Sequence, residues 1–149
     1  MKLRLLIFAS FAMISSAMAQ DDDSAAVRRA LTDIYDKPEA RISVDAVVVE
    51  DGVAIADWSQ GDLAGRALLR RKGGVWGIAL CAGDALRQKA SLERLGMSPM
   101  QAGSLAERLA AAERSLSPAT LARMAQFDGI VAVEPAGAPG MDPHHRKIP

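Results

Sequence analysis

The stretch Ile42-Ser43-Val44-Asp45-Ala46-Val47-Val48-Val49-Glu50-Asp51-Gly52-Val53-Ala54-Ile55-Ala56-Asp57-Trp58-Ser59 decides the fold. Ile42, Val44, Ala46 and Val48 alternate with Ser43, Asp45 and Val47, the two-residue period of a strand with one buried face. Asp51-Gly52 tolerates the positive φ angles of a tight hairpin, so Val53 to Ser59 is expected to return antiparallel. Gly61-Asp62-Leu63-Ala64-Gly65 turns the chain again into a third strand, Arg66 to Arg71. Gly73-Gly74 then supplies a second two-residue turn into Val75 to Cys81. Connections this short make each strand the neighbour of the next, which predicts a four-stranded antiparallel meander.

Working outward, the flanks read as helices. Before the meander, Val27, Leu31, Ile34 and Tyr35 recur at helical spacing while Arg28, Arg29 and Asp33 point away. Asp21-Asp22-Asp23 lies where the helix dipole is positive and Asp23 or Ser24 can cap, so the triplet needs no metal; Lys37-Pro38 ends the helix. After the meander, Asp84 is expected to cap a helix that runs through Leu95 and stops at Gly96. Ser98-Pro99-Met100-Gln101 is a capping box with proline at the first helical position, and Ala102, Leu105, Leu109, Ala112 and Leu116 form the inner seam of the helix it starts. Ser117-Pro118 starts a last helix with Leu121, Met124 and Phe127 inward, and Ile130 to Val133 can add an edge strand. Strands and helices are segregated, so the expected class is α+β: an N-terminal helix, a four-stranded antiparallel meander, then three helices packed on the sheet, covering one of its faces. Cystatin-like and nuclear-transport-factor-like folds share the order of a helix followed by a curved meander.

The first residues address the chain. Lys2 and Arg4 precede an apolar run from Leu5 to Ile14, and Ala17-Met18-Ala19 places small side chains at the first and third positions before a cut. Residues 1–19 are therefore expected to be a cleaved signal peptide, too short in its apolar run to span a bilayer, which takes ~20 apolar residues. Gln20 follows the cut where a lipoprotein would carry cysteine. This divides the chain into residues 1–19, a single domain over 20–134, and a tail over 135–149 rich in proline and glycine and expected to be flexible. Basic and acidic residues balance at 18 each, and loss of Lys2 and Arg4 leaves the mature chain slightly acidic, without the basic surface a nucleic-acid partner requires. Cys81 is the only cysteine, so the monomer has no internal disulfide.

Chemistry is sparse in the pattern. Cys81 can be a buried small hydrophobe, an intermolecular disulfide partner or a soft metal ligand. On unbroken alternation Trp76, Ile78, Leu80 and Ala82 share one face of the fourth strand, while Cys81 lies with Val75, Gly77 and Ala79 on the other. The polar segment from Trp58 to Arg66 reads either as a turn or as a binding loop, with Trp58, Gln60, Asp62 and Arg66 around the mouth of a pocket for a small organic ligand. In the tail, Met141, His144 and His145 combine a thioether with imidazoles, a set that suits copper in both oxidation states. No phosphate cradle, zinc-spaced histidines or nucleophile motif occurs, and both histidines lie in the tail, so the chain is expected not to be an enzyme.

One resemblance follows from the order of blocks. Val47-Val48-Val49, Ala54 to Ser59-Gln60-Gly61-Asp62, Gly65-Arg66-Ala67-Leu68-Leu69-Arg70-Arg71, Trp76, and Leu80-Cys81-Ala82-Gly83-Asp84-Ala85-Leu86 together resemble proteobacterial copper uptake system-associated proteins. The likeness extends to the signal peptide, the Asp-rich start, Lys37-Pro38-Glu39-Ala40 and the alanine-rich helices. It implies a small periplasmic accessory to copper acquisition, working beside outer-membrane receptors and periplasmic copper chaperones, and implies no catalytic residue. On that reading Cys81, His144 and His145, with Met141 added, are the expected copper ligands. A protein-binding module using an exposed helix face is the remaining alternative.

Overall fold

The computed structural model describes residues 14–133 and 146–147. Helix α1 spans Ile14–Tyr35 and leads into the meander β1 (Ile42–Glu50), β2 (Val53–Gln60), β3 (Leu63–Lys72) and β4 (Val75–Ala82). A 3-10 turn over Asp84–Arg87, α2 (Lys89–Arg94), α3 (Pro99–Ala112), a second 3-10 turn over Glu113–Ser115 and α4 (Pro118–Ala125) follow. Strand β5 (Ile130–Ala132) pairs with β4, and β6 (Arg146–Lys147) pairs with β5. The fold is α+β, with strands in the order β1-β2-β3-β4-β5-β6, all antiparallel.

The turn chemistry accounts for the connections. Asp51, Gly52, Gly73 and Gly74 all take positive φ, as two-residue hairpins demand. The segment from Trp58 to Arg66 is not an open loop: β2 runs to Gln60 and β3 starts at Leu63, leaving Gly61-Asp62 as a third tight turn. At the helix starts, the Ser98 hydroxyl accepts from the Gln101 amide and the Ser117 hydroxyl from the Thr120 amide, each with proline at the first turn. The expected helix from Asp84 through Leu95 is instead broken in two. Gln88 takes an extended conformation between the 3-10 turn and α2, and Asp84 makes no capping bond because its carboxylate pairs with Arg66.

Both faces of the sheet are covered, a departure from the expectation of helices on one face. Val48, Val53, Ile55, Leu68 and Leu80 pack with Leu92, Ala102, Leu105 and Leu109 of α2 and α3. On the opposite face Ala54, Ala56, Ala67, Leu69, Trp76, Ile78 and Cys81 pack with Val27 and Leu31 of α1. Each fully buried leucine of these layers contributes about 1.5–3 kcal/mol. Asp23 makes no capping bond. Its Oδ1 instead accepts from Arg71 Nη1 at 2.8 Å and Trp76 Nε1 at 3.2 Å, while the Arg71 guanidinium lies 5.4 Å above the Trp76 ring. This clasp ties the helix to β3 and β4.

Two bulges correct the expected strand faces. Leu68 pairs with Leu80 but Leu69 with Ile78, so Ala79 is an extra residue in β4. The side-chain alternation changes phase there: Leu80 and Ala82 face α2 and α3, whereas Trp76, Ile78 and Cys81 face α1. Cys81 thus lies on the face with the large residues, contrary to unbroken alternation. A second register shift between Val44 and Val47 puts Ile42, Val44, Val47 and Val49 on the α1 side, with Val48 on the other.

Along β1, the edge strand, main-chain carbonyls are taken up by side chains from both helical layers. Arg28 of α1 donates to the Val44 and Asp45 carbonyls. From α3, Arg108 donates to the Val49 carbonyl and the Glu50 carboxylate, and Gln101 donates to the Glu50 carbonyl.

Candidate functional site

Two groups of polar side chains form at the same end of the sheet, one on each face. Beneath the last turns of α1, Leu31, Tyr35, Ile42, Trp58, Gln60, Leu63 and Cys81 enclose a cavity of about 80 Å³. Gln60 closes one side by donating its Nε2 to the Tyr35 carbonyl at 2.7 Å and the Ala40 carbonyl at 2.6 Å. That anchors the end of α1 to β2. Trp58 lines the cavity and stands edge-on to Phe127, with ring centroids 6.0 Å apart at 86°, a favoured aromatic arrangement.

The cavity needs two glycines behind it. A Cβ on Gly65 would stand 2.9 Å from the Phe127 ring and 3.1 Å from the Trp58 ring, and one on Gly83 would stand 2.7 Å from the Phe127 carbonyl oxygen. These positions let the end of α4 lie against β3 and β4 and press Phe127 onto Trp58.

Cys81 is 2 % exposed. Burial pushes its thiol up to about 12, against a smaller opposing contribution from the Trp58 indole, whose Nε1 is buried without a hydrogen bond of normal geometry. Tyr35 is raised to about 12 by its own burial and, secondarily, by Cys81. The cavity is therefore lined by neutral groups. At about 80 Å³ it has room for a few waters, well below the ~300–1,000 Å³ of pockets that take drug-sized ligands. Of the residues expected around a pocket mouth, Trp58 and Gln60 line it, Asp62 is exposed in the turn between β2 and β3, and Arg66 is on the other face. The expected four-residue mouth does not form, because Arg66 alternates to the side opposite Trp58.

A neutral buried thiol is also a poor nucleophile. A shift from 9.0 to about 12 lowers the thiolate fraction about a thousandfold before access is considered. Ellman's reagent at pH 8 is expected to leave the folded protein unlabelled and to titrate one thiol once urea unfolds it; rapid labelling without denaturant would show that Cys81 is not sealed.

Arg66 stands in the second group, which sequence reasoning missed. Its side chain is 0 % exposed, as is that of Asp57, and Glu113 is 2 % exposed. Arg66 Nε donates to Glu113 Oε1 at 2.7 Å and Nη1 to Asp84 Oδ1 at 3.1 Å. Arg87 Nε closes the network 3.0 Å from Glu113 Oε2, an ion contact whose angle falls short of a hydrogen bond. Asp57 is left with Arg66 Nε at 3.6 Å, and neither of its oxygens has a hydrogen-bond partner. Burial, then Glu113, push the Asp57 carboxyl up to about 7; Arg66 opposes them. A signal for this pair existed in the sequence: reading Gly61-Asp62 as a two-residue turn sets Asp57 opposite Arg66, on the face of Val53, Ile55 and Leu68.

Of the expected copper ligands, only Cys81 lies within the described residues; Met141, His144 and His145 do not. Among the described residues no three His, Cys, Asp or Glu side chains are grouped to hold a metal ion, and no helix is long and apolar enough to cross a membrane. Compared with family models, with curated proteins and with solved structures, the chain finds no match.

Proposed function

We propose that residues 20–149 form a periplasmic, non-enzymatic accessory to copper uptake, in which Met141, His144 and His145 supply the copper ligands and Cys81 serves the core. The resemblance of the ordered sequence blocks to copper uptake system-associated proteins and the signal-peptide pattern support the setting. The observation that carries the division of labour is the sealed Cys81: it lies between α1 and β4 with its proton firmly held, so a metal there would have to displace both the proton and the packing. Adjacent imidazoles with a thioether three residues before them bind copper without asking anything of the folded domain. The partners on this reading are the copper ion and the receptors and chaperones that deliver it.

Titration of the mature chain with reduced and with oxidised copper against a competing chelator tests the proposal. His144→Ala/His145→Ala is expected to abolish saturable binding, and Cys81→Ser to leave it within about twofold. Loss of binding in Cys81→Ser alone would move the site into the domain, and no saturable binding of either ion by the unaltered chain would remove direct copper binding.

A further inference from the structure

The group around Arg66 contains more acid than base. Its three sealed members are two carboxyls, Asp57 and Glu113, and one guanidinium, Arg66. Adding the half-exposed members Asp84 and Arg87 gives three carboxyls against two guanidiniums. On either count one carboxyl is in excess. Asp45 of β1 adds further negative potential from outside. The geometry also says which carboxyl is in excess. Arg66 commits Nε to Glu113 and Nη1 to Asp84, while both Asp57 oxygens, fully buried, accept no hydrogen bond. A carboxylate stripped of water and of hydrogen bonds is the costliest state such a group can take, and neutralisation by a proton is the usual escape.

We propose that this cluster is a single-proton binding site that works as a pH-sensitive latch: one proton, held on Asp57, keeps the Asp84–Arg87 turn and the Glu113 end of α3 closed on the sheet, and its loss on alkalinisation loosens them. The charged groups acting on Asp57 come from the elements around it: Asp45 on β1, Arg66 on β3, Arg87 on the turn after β4, and Glu113 after α3, while Asp84 pairs with Arg66 and Arg87. Ionised Asp57 leaves a net negative charge in the interior, and the least costly relief is to admit water from the side where Asp84 and Arg87 already meet solvent. The linkage has a definite sign. A carboxyl raised from 3.8 to about 7 in the folded state holds a proton there that the unfolded chain has released, so stability falls as pH rises from about 4 to about 7. Ordinary buried salt bridges act in the opposite direction. Nothing in the latch depends on copper.

Two measurements test it. Carbon-13 titration of the aspartate carboxyls in the intact mature chain is expected to show Asp57 with a midpoint near pH 7, and Glu113→Gln, which removes the neighbouring negative charge that competes for Arg66, is expected to bring that midpoint down by at least one pH unit. Amide exchange, corrected for its intrinsic pH dependence, is expected to quicken at least tenfold at residues 84–87 and 113–115 between pH 6 and pH 8, and to lose that dependence in Asp57→Asn. An Asp57 midpoint in the ordinary carboxylate range overturns the proton site, and pH-independent protection of both turns in the unaltered chain overturns the latch.

Discussion

Replacing Arg66 by methionine is expected to remove about 3–5 kcal/mol of stability, because it leaves the buried Asp57 with no ion-pair partner and the buried Glu113 with only the half-exposed Arg87. A domain of this size is stable by only ~5–15 kcal/mol, so the variant should unfold at a far lower urea concentration and stand at the edge of folding at 37 °C. Arg66→Lys keeps the charge but offers one nitrogen where the guanidinium serves Glu113 through Nε and Asp84 through Nη1, so it should recover only part of the loss. A triple change, Asp57→Asn with Arg66→Met and Glu113→Gln, removes the charges together. It should be more stable than Arg66→Met alone, since breaking an ion network costs more than deleting it. Urea midpoints of the four proteins at pH 7 decide the matter. An Arg66→Met midpoint indistinguishable from that of the unaltered protein would mean that water reaches the carboxyls freely.

The second large effect is expected at Gly83. Alanine there would bring its Cβ to 2.7 Å from the Phe127 carbonyl oxygen and 2.9 Å from that of Met124, and main-chain atoms cannot rotate aside as a side chain can. The end of α4 must withdraw, and Phe127 with it. About 1–3 kcal/mol of overpacking cost follows, together with loss of the edge-on contact with Trp58. Thermal melting would report the first and near-ultraviolet dichroism of tryptophan the second. Gly77 provides the control: a Cβ there meets nothing within 4 Å, so Gly77→Ala should leave both signals in place. Equal effects at the two positions would show that the close approach of α4 is not what Gly83 is for.

How far the sequence carried the fold depended on whether a signal was local. Asp51-Gly52, Gly73-Gly74, Ser98-Pro99 and Ser117-Pro118 set their own turns and caps from neighbours a few residues away, and each stands where it was expected. The bulge at Ala79 had no such mark. Alanine is unremarkable in a strand, and the extra residue shows only in the pairing of β4 with β3, yet it carried Cys81 from one face to the other. The candidate site was legible to the same degree. Trp58 and Gln60 were expected at a pocket and line one, but Arg66 was expected at the same pocket mouth because Glu113, its nearest partner, is 47 positions further on. A buried charge becomes recognisable only with the distant residue that neutralises it. The cover on the second face was missed for a related reason: the helical spacing of Val27 and Leu31 shows that α1 has an apolar side, and says nothing of which surface receives it.

The capped edge of β1 bears on how these molecules behave in each other's company. A nine-residue strand with free carbonyls is an invitation for a neighbour to continue the sheet. Here Arg28, Arg108 and Gln101 already occupy carbonyls near both ends of it, from helices on opposite faces. A second chain approaching that side meets guanidinium groups where it would need acceptors, which disfavours continuing the sheet from that edge.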